Sequence, residues 1–230
     1  MKSVILSCPT LKGELLAAIA SHNADITVIF LPKELHSDPK YLHQFVQKTI
    51  DELQDVDRIY LCTTGCGGGT IGLKATTAEV VIPRTRDCLD ILLSGDDLRK
   101  DDRRNIRGFY LTGCWMEYSK ETDIDYTKRV AKMGQEAAED FLRNLYKTFN
   151  EFYIIDTGCY DVAEVEAYLA PLVRVLNGTV EVIKGEYKVL HKMVTNQIDK
   201  DFVIVPKGEA VQAGSFMPNN SRDFYCFYRI

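Results

Sequence analysis

Short runs of aliphatic and aromatic residues alternate along this chain with longer stretches whose apolar positions recur at helical spacing. That rhythm belongs to βαβ units around a parallel sheet. It predicts strands over Ser3–Ser7, Ile26–Leu31, Arg58–Cys62, Glu79–Ile82, Gly108–Leu111, Phe152–Asp156, Thr179–Ile183 and Phe202–Val205, most of them apolar enough to be buried on both faces. It predicts helices over Lys12–His22, Pro39–Leu53, Cys88–Ser94, Tyr126–Thr148 and Val162–Asn177. In the third of these, Asp87 is placed to cap, Asp90 falls near the positive end of the helix dipole, and Gly95 marks the stop. The expected architecture is α/β and Rossmann-like: a largely parallel sheet of about eight strands flanked by helices, in one lobe or two. The long polar helical stretch offers the best division, between a first α/β half over 1–125 and a second over 126–230, with a single domain as the alternative.

Composition narrows the classes of function. The 230 residues are 46% hydrophobic and 27% charged, ordinary for a globular chain. The longest uncharged stretch, Leu61–Leu73, is broken by five glycines and falls short of the ~18 apolar residues of a membrane helix. A net charge of -5 gives no general attraction to nucleic acid or to an anionic membrane. Ile5-Leu6-Ser7-Cys8 superficially resembles a lipoprotein cleavage box, but the run from Lys2 is too short for a secretory segment and reads as a strand. The expected location is therefore cytoplasmic, where the seven cysteines remain thiols or metal ligands.

A local repetition points to where the chemistry sits. Three strands with an aromatic residue are each followed by Thr-Gly-Cys: Thr64-Gly65-Cys66, Thr112-Gly113-Cys114 and Thr157-Gly158-Cys159. Ligands of open parallel sheets bind at the carboxyl ends of the strands, so these turns are expected to converge on one crevice, with Cys8 at the equivalent point of the first strand. Buried cysteine also serves simply as a small apolar residue, and Cys62, inside its strand, is assigned that role.

Two further segments carry candidate residues. The glycine-rich turn with Gly65, Gly67, Gly68 and Gly69 exposes backbone amides suited to an anion or a flat cofactor. It also contains a formal GxGxxG, but the stretch that follows is too short for a Rossmann crossover helix, and no Walker lysine follows the closing glycine. In Pro83-Arg84-Thr85-Arg86-Asp87-Cys88, the thiol of Cys88 falls at a helix start beside Arg84 and Arg86, where the thiolate that ligates metals and attacks electrophiles is favoured. His36 follows the second strand on the same side of the sheet and can join thiolates as a ligand. His22, His43 and His191 lie in helical stretches and read as ordinary surface or interface residues. No GxSxG or HExxH occurs.

Ile5-Leu6-Ser7-Cys8, Leu31-Pro32 with Leu35-His36 and Pro39, Tyr60 with Gly65-Cys66-Gly67, Leu73, Ile82-Pro83-Arg84 with Asp87-Cys88, Leu92-Leu93 and Gly95, and Tyr110-Leu111-Thr112 with Trp115 and Glu117 stand in one order along the chain. Together they resemble the DUF1638 family. The resemblance implies recurring family cysteines and a histidine at Cys8, His36, Cys66 and Cys88. It also implies a setting beside corrinoid-dependent methyltransferases in methanogenic archaea and anaerobic bacteria. The chain departs from the family in carrying Arg86 where a histidine is usual, and in adding Cys114 and Cys159.

The first functional expectation is a thiolate-rich metal site with Cys8, Cys66 and Cys88 as core ligands and His36 or Cys114 completing it. Its metal would be zinc or an iron-sulfur cluster. The family setting implies a role in corrinoid-linked methyl or one-carbon metabolism, with a corrinoid protein or a methyltransferase as partner. A second expectation is an enzyme holding a phosphorylated or nucleotide cofactor on the glycine loop, with Arg84 and Arg86 on the phosphate and Cys88 or Cys66 as nucleophile. A third is a non-catalytic module for a corrinoid or a methyltransferase; the corrinoid consensus DxHxxG is absent.

Overall fold

The computed structural model describes residues 1–63, 68–98, 104–105, 108–122 and 125–216. In chain order the strands are β1 Ser3–Ser7, β2 Thr27–Phe30, β3 Arg58–Cys62, β4 Glu79–Pro83, β5 Gly108–Leu111, β6 Glu151–Asp156, β7 Thr179–Lys184 and β8 Phe202–Val205. The helices are α1 Lys12–His22, α2 Pro39–Glu52, α3 Cys88–Leu92, α4 Gly113–Lys120, α5 Tyr126–Met133, α6 Gln135–Leu145, α7 Val162–Leu176 and α8 Lys188–Val194. No helix among the described residues is long and apolar enough to cross a membrane.

The fold is mixed α/β and mostly parallel, but its strands form two sheets. Five are ordered β2-β1-β3-β4-β8, with only β8 antiparallel, and three are ordered β5-β6-β7, all parallel. The chain accordingly divides into two compact units, Met1–Asp102 with Tyr187–Ile230, and Arg103–Glu186. This moves the boundary expected at 125/126. β5 pairs with β6 and so leaves the first unit, while β8 returns to it alongside β4.

In the first unit the alternation of side chains across each strand sorts residues to two faces. Val4 and Leu6 of β1, Ile59 and Leu61 of β3, and Val80 and Ile82 of β4 pack against Leu42, Val46 and Ile50 of α2. Tyr60 and Cys62 face the other way. The Cys62 Sγ lies 3.6 Å from Met193 Sδ of α8, and Tyr60 donates a hydrogen bond to Asn196 just beyond that helix. α8 in turn packs against α1. Asp38 opens α2 by accepting from the Lys40 and Tyr41 amides, ahead of Pro39, whose missing N–H needs no partner there.

In the second unit Leu111, Phe152 and Ile154 of the sheet bury against Met116 of α4 and Val165 and Leu169 of α7. β7 departs furthest from the burial expected of the strands, and β2, the edge strand of the first sheet, has no buried residue either. β7 lies at the edge of its own sheet, and five of its six residues are exposed. The single helix expected over Tyr126–Thr148 is two helices, because Gly134 takes φ +82°, ψ 162°, a conformation open to glycine that ends α5 and starts α6.

Candidate functional site

The order β2-β1-β3-β4 makes the first sheet doubly wound. The chain leaves β1 toward one edge and returns on the other side of it as β3, so the carboxyl ends of β1 and β3 flank the switch point where such sheets bind ligands. The register aligns Ser7 with Cys62, so Cys8 and Thr63 leave the sheet side by side. Both line a small apolar cavity of about 20 Å³, walled also by Pro9, Leu31, Pro32, Leu35 and Leu42. That space holds about one water.

Cys8 is buried, with its Sγ 3.0 Å from the Thr10 hydroxyl in the 3-10 turn Pro9–Leu11. Cys88 is buried as well, and α3, which it opens, packs against that same turn. The structure thus brings together the segments of two predicted ligands that lie far apart in sequence. Asp87 caps α3 as expected, accepting from the Leu89 and Asp90 amides. The helix is shorter than predicted, ending at Leu92 with Leu93 as its cap rather than running to Gly95. Five residues make only one turn, which limits the dipole acting on Cys88.

The two arginines have structural partners. Arg86 forks onto Asp90, Nε to Oδ2 at 2.7 Å and Nη2 to Oδ1 at 2.9 Å, while its own amide donates to the same carboxylate. Arg84 donates to the carbonyls of Lys200 and Ser215, and its amide donates to the Asp201 carbonyl, tying the end of β4 to the start of β8. These contacts neutralise or orient the guanidinium groups that the phosphate reading required for a ligand.

Gly65, Cys66 and Gly67 lie outside the described residues. Of the rest of the glycine loop, Gly68 has φ +85° and Gly69 presents its carbonyl to the His43 ring, 3.1 Å from Nδ1. Gly72 and Leu73 then pair with Val211 through backbone hydrogen bonds. Residues 68–78, the described part of the β3–β4 connection, contain no α-helix, consistent with the argument against a Rossmann dinucleotide unit. His36 falls in the 3-10 turn Lys33–Ser37 after β2; its side chain lies outside the described set.

Cys114 and Cys159 belong to the second unit, after β5 and β6. The expectation that three Thr-Gly-Cys turns share one sheet therefore fails, since β3, which precedes the first, belongs to the other sheet. Cys62 is a packing residue: burial pushes its thiol up to about 12, opposed by the Ser7 hydroxyl and reinforced by neighbouring Cys8. Among the described residues, no three His, Cys, Asp or Glu side chains are grouped to hold a metal ion.

The sequence reading passed over two residues here. Thr63 and Thr85 follow β3 and β4, are 1% and 3% exposed, and their hydroxyls have no hydrogen-bond partner among the described residues. Buried hydroxyls are ordinarily satisfied, so these two are available to a bound group. Their signal in the sequence is only that of a polar residue at the end of an apolar run, directly after it for Thr63 and one residue beyond it, past Arg84, for Thr85.

A family model, described as protein of unknown function (DUF1638), matches residues 30–194. The chain belongs to the DUF1638 family. No curated protein and no solved structure gives a significant match. The DUF1638 match takes in His36, Cys66 and the turn from Arg84 to Cys88, and it ends with α8.

Proposed function

We propose that this DUF1638 protein binds a thiophilic metal, zinc or an iron-sulfur cluster, at the carboxyl end of its five-stranded sheet. The ligands would be Cys8 and Cys88 with Cys66, and His36 is the candidate to complete the set. One observation carries the reading: two buried thiols, remote in sequence, stand on segments packed against each other at the switch point of a doubly wound sheet. The unpartnered hydroxyls of Thr63 and Thr85 support it, because a hydroxyl can donate to a ligating thiolate. Thr10, 3.0 Å from Cys8, can do the same. Held by thiolates, zinc supplies a Lewis acid and a cluster supplies electrons. The family setting implied by the resemblance directs either chemistry to corrinoid-linked methyl or one-carbon metabolism, with a corrinoid protein or a methyltransferase as partner.

The test is elemental analysis and an absorption spectrum of protein purified without oxygen or chelator, alongside Cys8→Ser and Cys88→Ser. Stoichiometric metal in the wild type, lost in each variant while the circular dichroism is kept, is the expected result. Metal-free wild type, or full metal in the Cys8→Ser/Cys88→Ser double variant, overturns the reading.

A further inference from the structure

His22 and His191 stand 169 residues apart in the sequence and meet in the first unit, where α1 packs against α8. His22 Nε2 lies 3.0 Å from His191 Nδ1, with the two rings edge to face at 78°. Two imidazole nitrogens therefore face each other directly. Tyr187, the amino cap of α8, stacks on the His191 ring at 5.1 Å and 19°, which holds that ring in place. His22 is exposed and His191 half-buried, so ions in solvent reach the pair. Each histidine lies in the last turn of its helix, where the negative end of the helix dipole favours a cation. Burial, then His22, then Lys188 hold His191 below its ordinary value of 6.5, so its ring is neutral near pH 7, the form that ligates metals.

We propose that His22 and His191 are a two-imidazole site for a divalent ion of tetragonal preference, nickel(II) or copper(II), which clasps α1 to α8 and is distinct from the strand-end thiolate site. Imidazole is a donor that suits both ions. The separation selects between geometries. With metal–nitrogen bonds of about 2.0–2.1 Å, nitrogens 3.0 Å apart subtend roughly 95° at the metal. That is close to the ~90° between neighbouring ligands of a square-planar or tetragonal ion, whereas tetrahedral zinc asks for ~109° and nitrogens about 3.3 Å apart. Binding forms two metal–nitrogen bonds, and two waters leave the ion. The proton shared between the facing nitrogens passes through solvent to the outer nitrogen of its own ring. Both imidazoles stay neutral, and no oxidation state changes.

The experiment titrates nickel(II), which does not oxidise thiols, into full-length protein by calorimetry under anaerobic conditions. It uses wild type, His22→Gln, His191→Gln, and the Cys8→Ser/Cys88→Ser double variant. The expected outcome is one equivalent whose affinity falls roughly tenfold or more in each histidine variant, because one imidazole alone loses the second, intramolecular bond. That equivalent persists in the cysteine double variant, which separates this site from the proposal above. Nickel bound equally by wild type and both histidine variants, or weakened in only one of them, overturns the pair. A second measurement reads the clasp: nickel should raise the urea midpoint of wild type and of neither histidine variant, since only the folded chain brings the two nitrogens together. An unchanged wild-type midpoint overturns the clasp, and zinc bound more tightly than nickel overturns the choice of ion.

Discussion

Cys62 ends β3 with no exposed surface, and Cys159 stands partly exposed in a turn, so identical side chains in similar sequence surroundings have opposite reactivity. Because burial raises the Cys62 thiol to about 12, its thiolate is essentially absent near neutrality. Iodoacetamide at pH 8 should therefore leave Cys62 unmodified in the native protein while labelling Cys114 and Cys159, read by peptide mass mapping. Labelling of Cys62 at the rate of the other two would contradict the packing. A glycine defines the second local constraint. Gly113 has no room for a Cβ against Tyr160, whose hydroxyl is itself bound to the Ile155 carbonyl and holds the ring in place. Gly113→Ala should destabilise the second unit by about 1–3 kcal/mol, measured by urea unfolding, since the ring or the start of α4 must shift. An alanine variant as stable as wild type would show that the Thr-Gly-Cys turns are not packed together.

At the scale of elements, α3 tests how a five-residue helix is held in place. Its amino end depends on Asp87, which satisfies two amides, and on the Arg86–Asp90 fork across its first turn. Asp87→Ala should cost about 0.5–2 kcal/mol in denaturant unfolding, and it should loosen Cys88, which opens the helix. Unchanged stability would mean that packing alone holds the turn. The strands were legible because an apolar run of strand length bounded by turn residues has few other uses, and β1, β3, β5 and β8 fall on the predicted residues. The helices were less so. α4 was hidden because Gly113 and Cys114 read as loop, and the signal for its start is the single hydroxyl of Thr112. α8 was legible only as a helical stretch around His191, without bounds, because its amino cap, Tyr187, adopts a left-handed conformation that a tyrosine does not announce. At the site, Cys8 was picked out by its strand-end position and Cys88 by its helix start beside two arginines, and the segments that carry them are in contact. The engagement of Arg84 and Arg86 was not legible, since their partners lie on β8's approach and on the helix that follows.

At the scale of the whole molecule, the first unit is built from two separated stretches of chain, and its closure depends on α8 and β8 returning after the second unit. One contact at that closure is titratable. His22, at the end of α1, and His191 of α8 face each other at 3.0 Å between Nε2 and Nδ1, with Tyr187 stacked on the His191 ring. Burial, then the neighbouring His22, then Lys188 hold His191 below its ordinary value of 6.5. The folded state therefore favours the neutral ring. Above pH 6.5 both folded and unfolded chains carry it neutral, and the contact makes no pH-dependent contribution. As pH falls below 6.5 the unfolded chain takes up the proton first, so stability is lost between that point and the lower folded value, and no more is lost below it. Urea midpoints measured from pH 7.5 down to 5 should fall, and His191→Gln should flatten that slope while leaving the midpoint at pH 7.5 nearly unchanged. Hydrogen exchange adds the spatial readout: loss of protection on acidification should begin in α1, α8 and the strands they cover, with β5, β6 and α7 protected longer. Uniform loss across both units, or a slope that His191→Gln does not alter, would place the pH dependence elsewhere. The expected order follows from the topology, because the residues that close the first unit are the last to rejoin it and the first that a proton can separate.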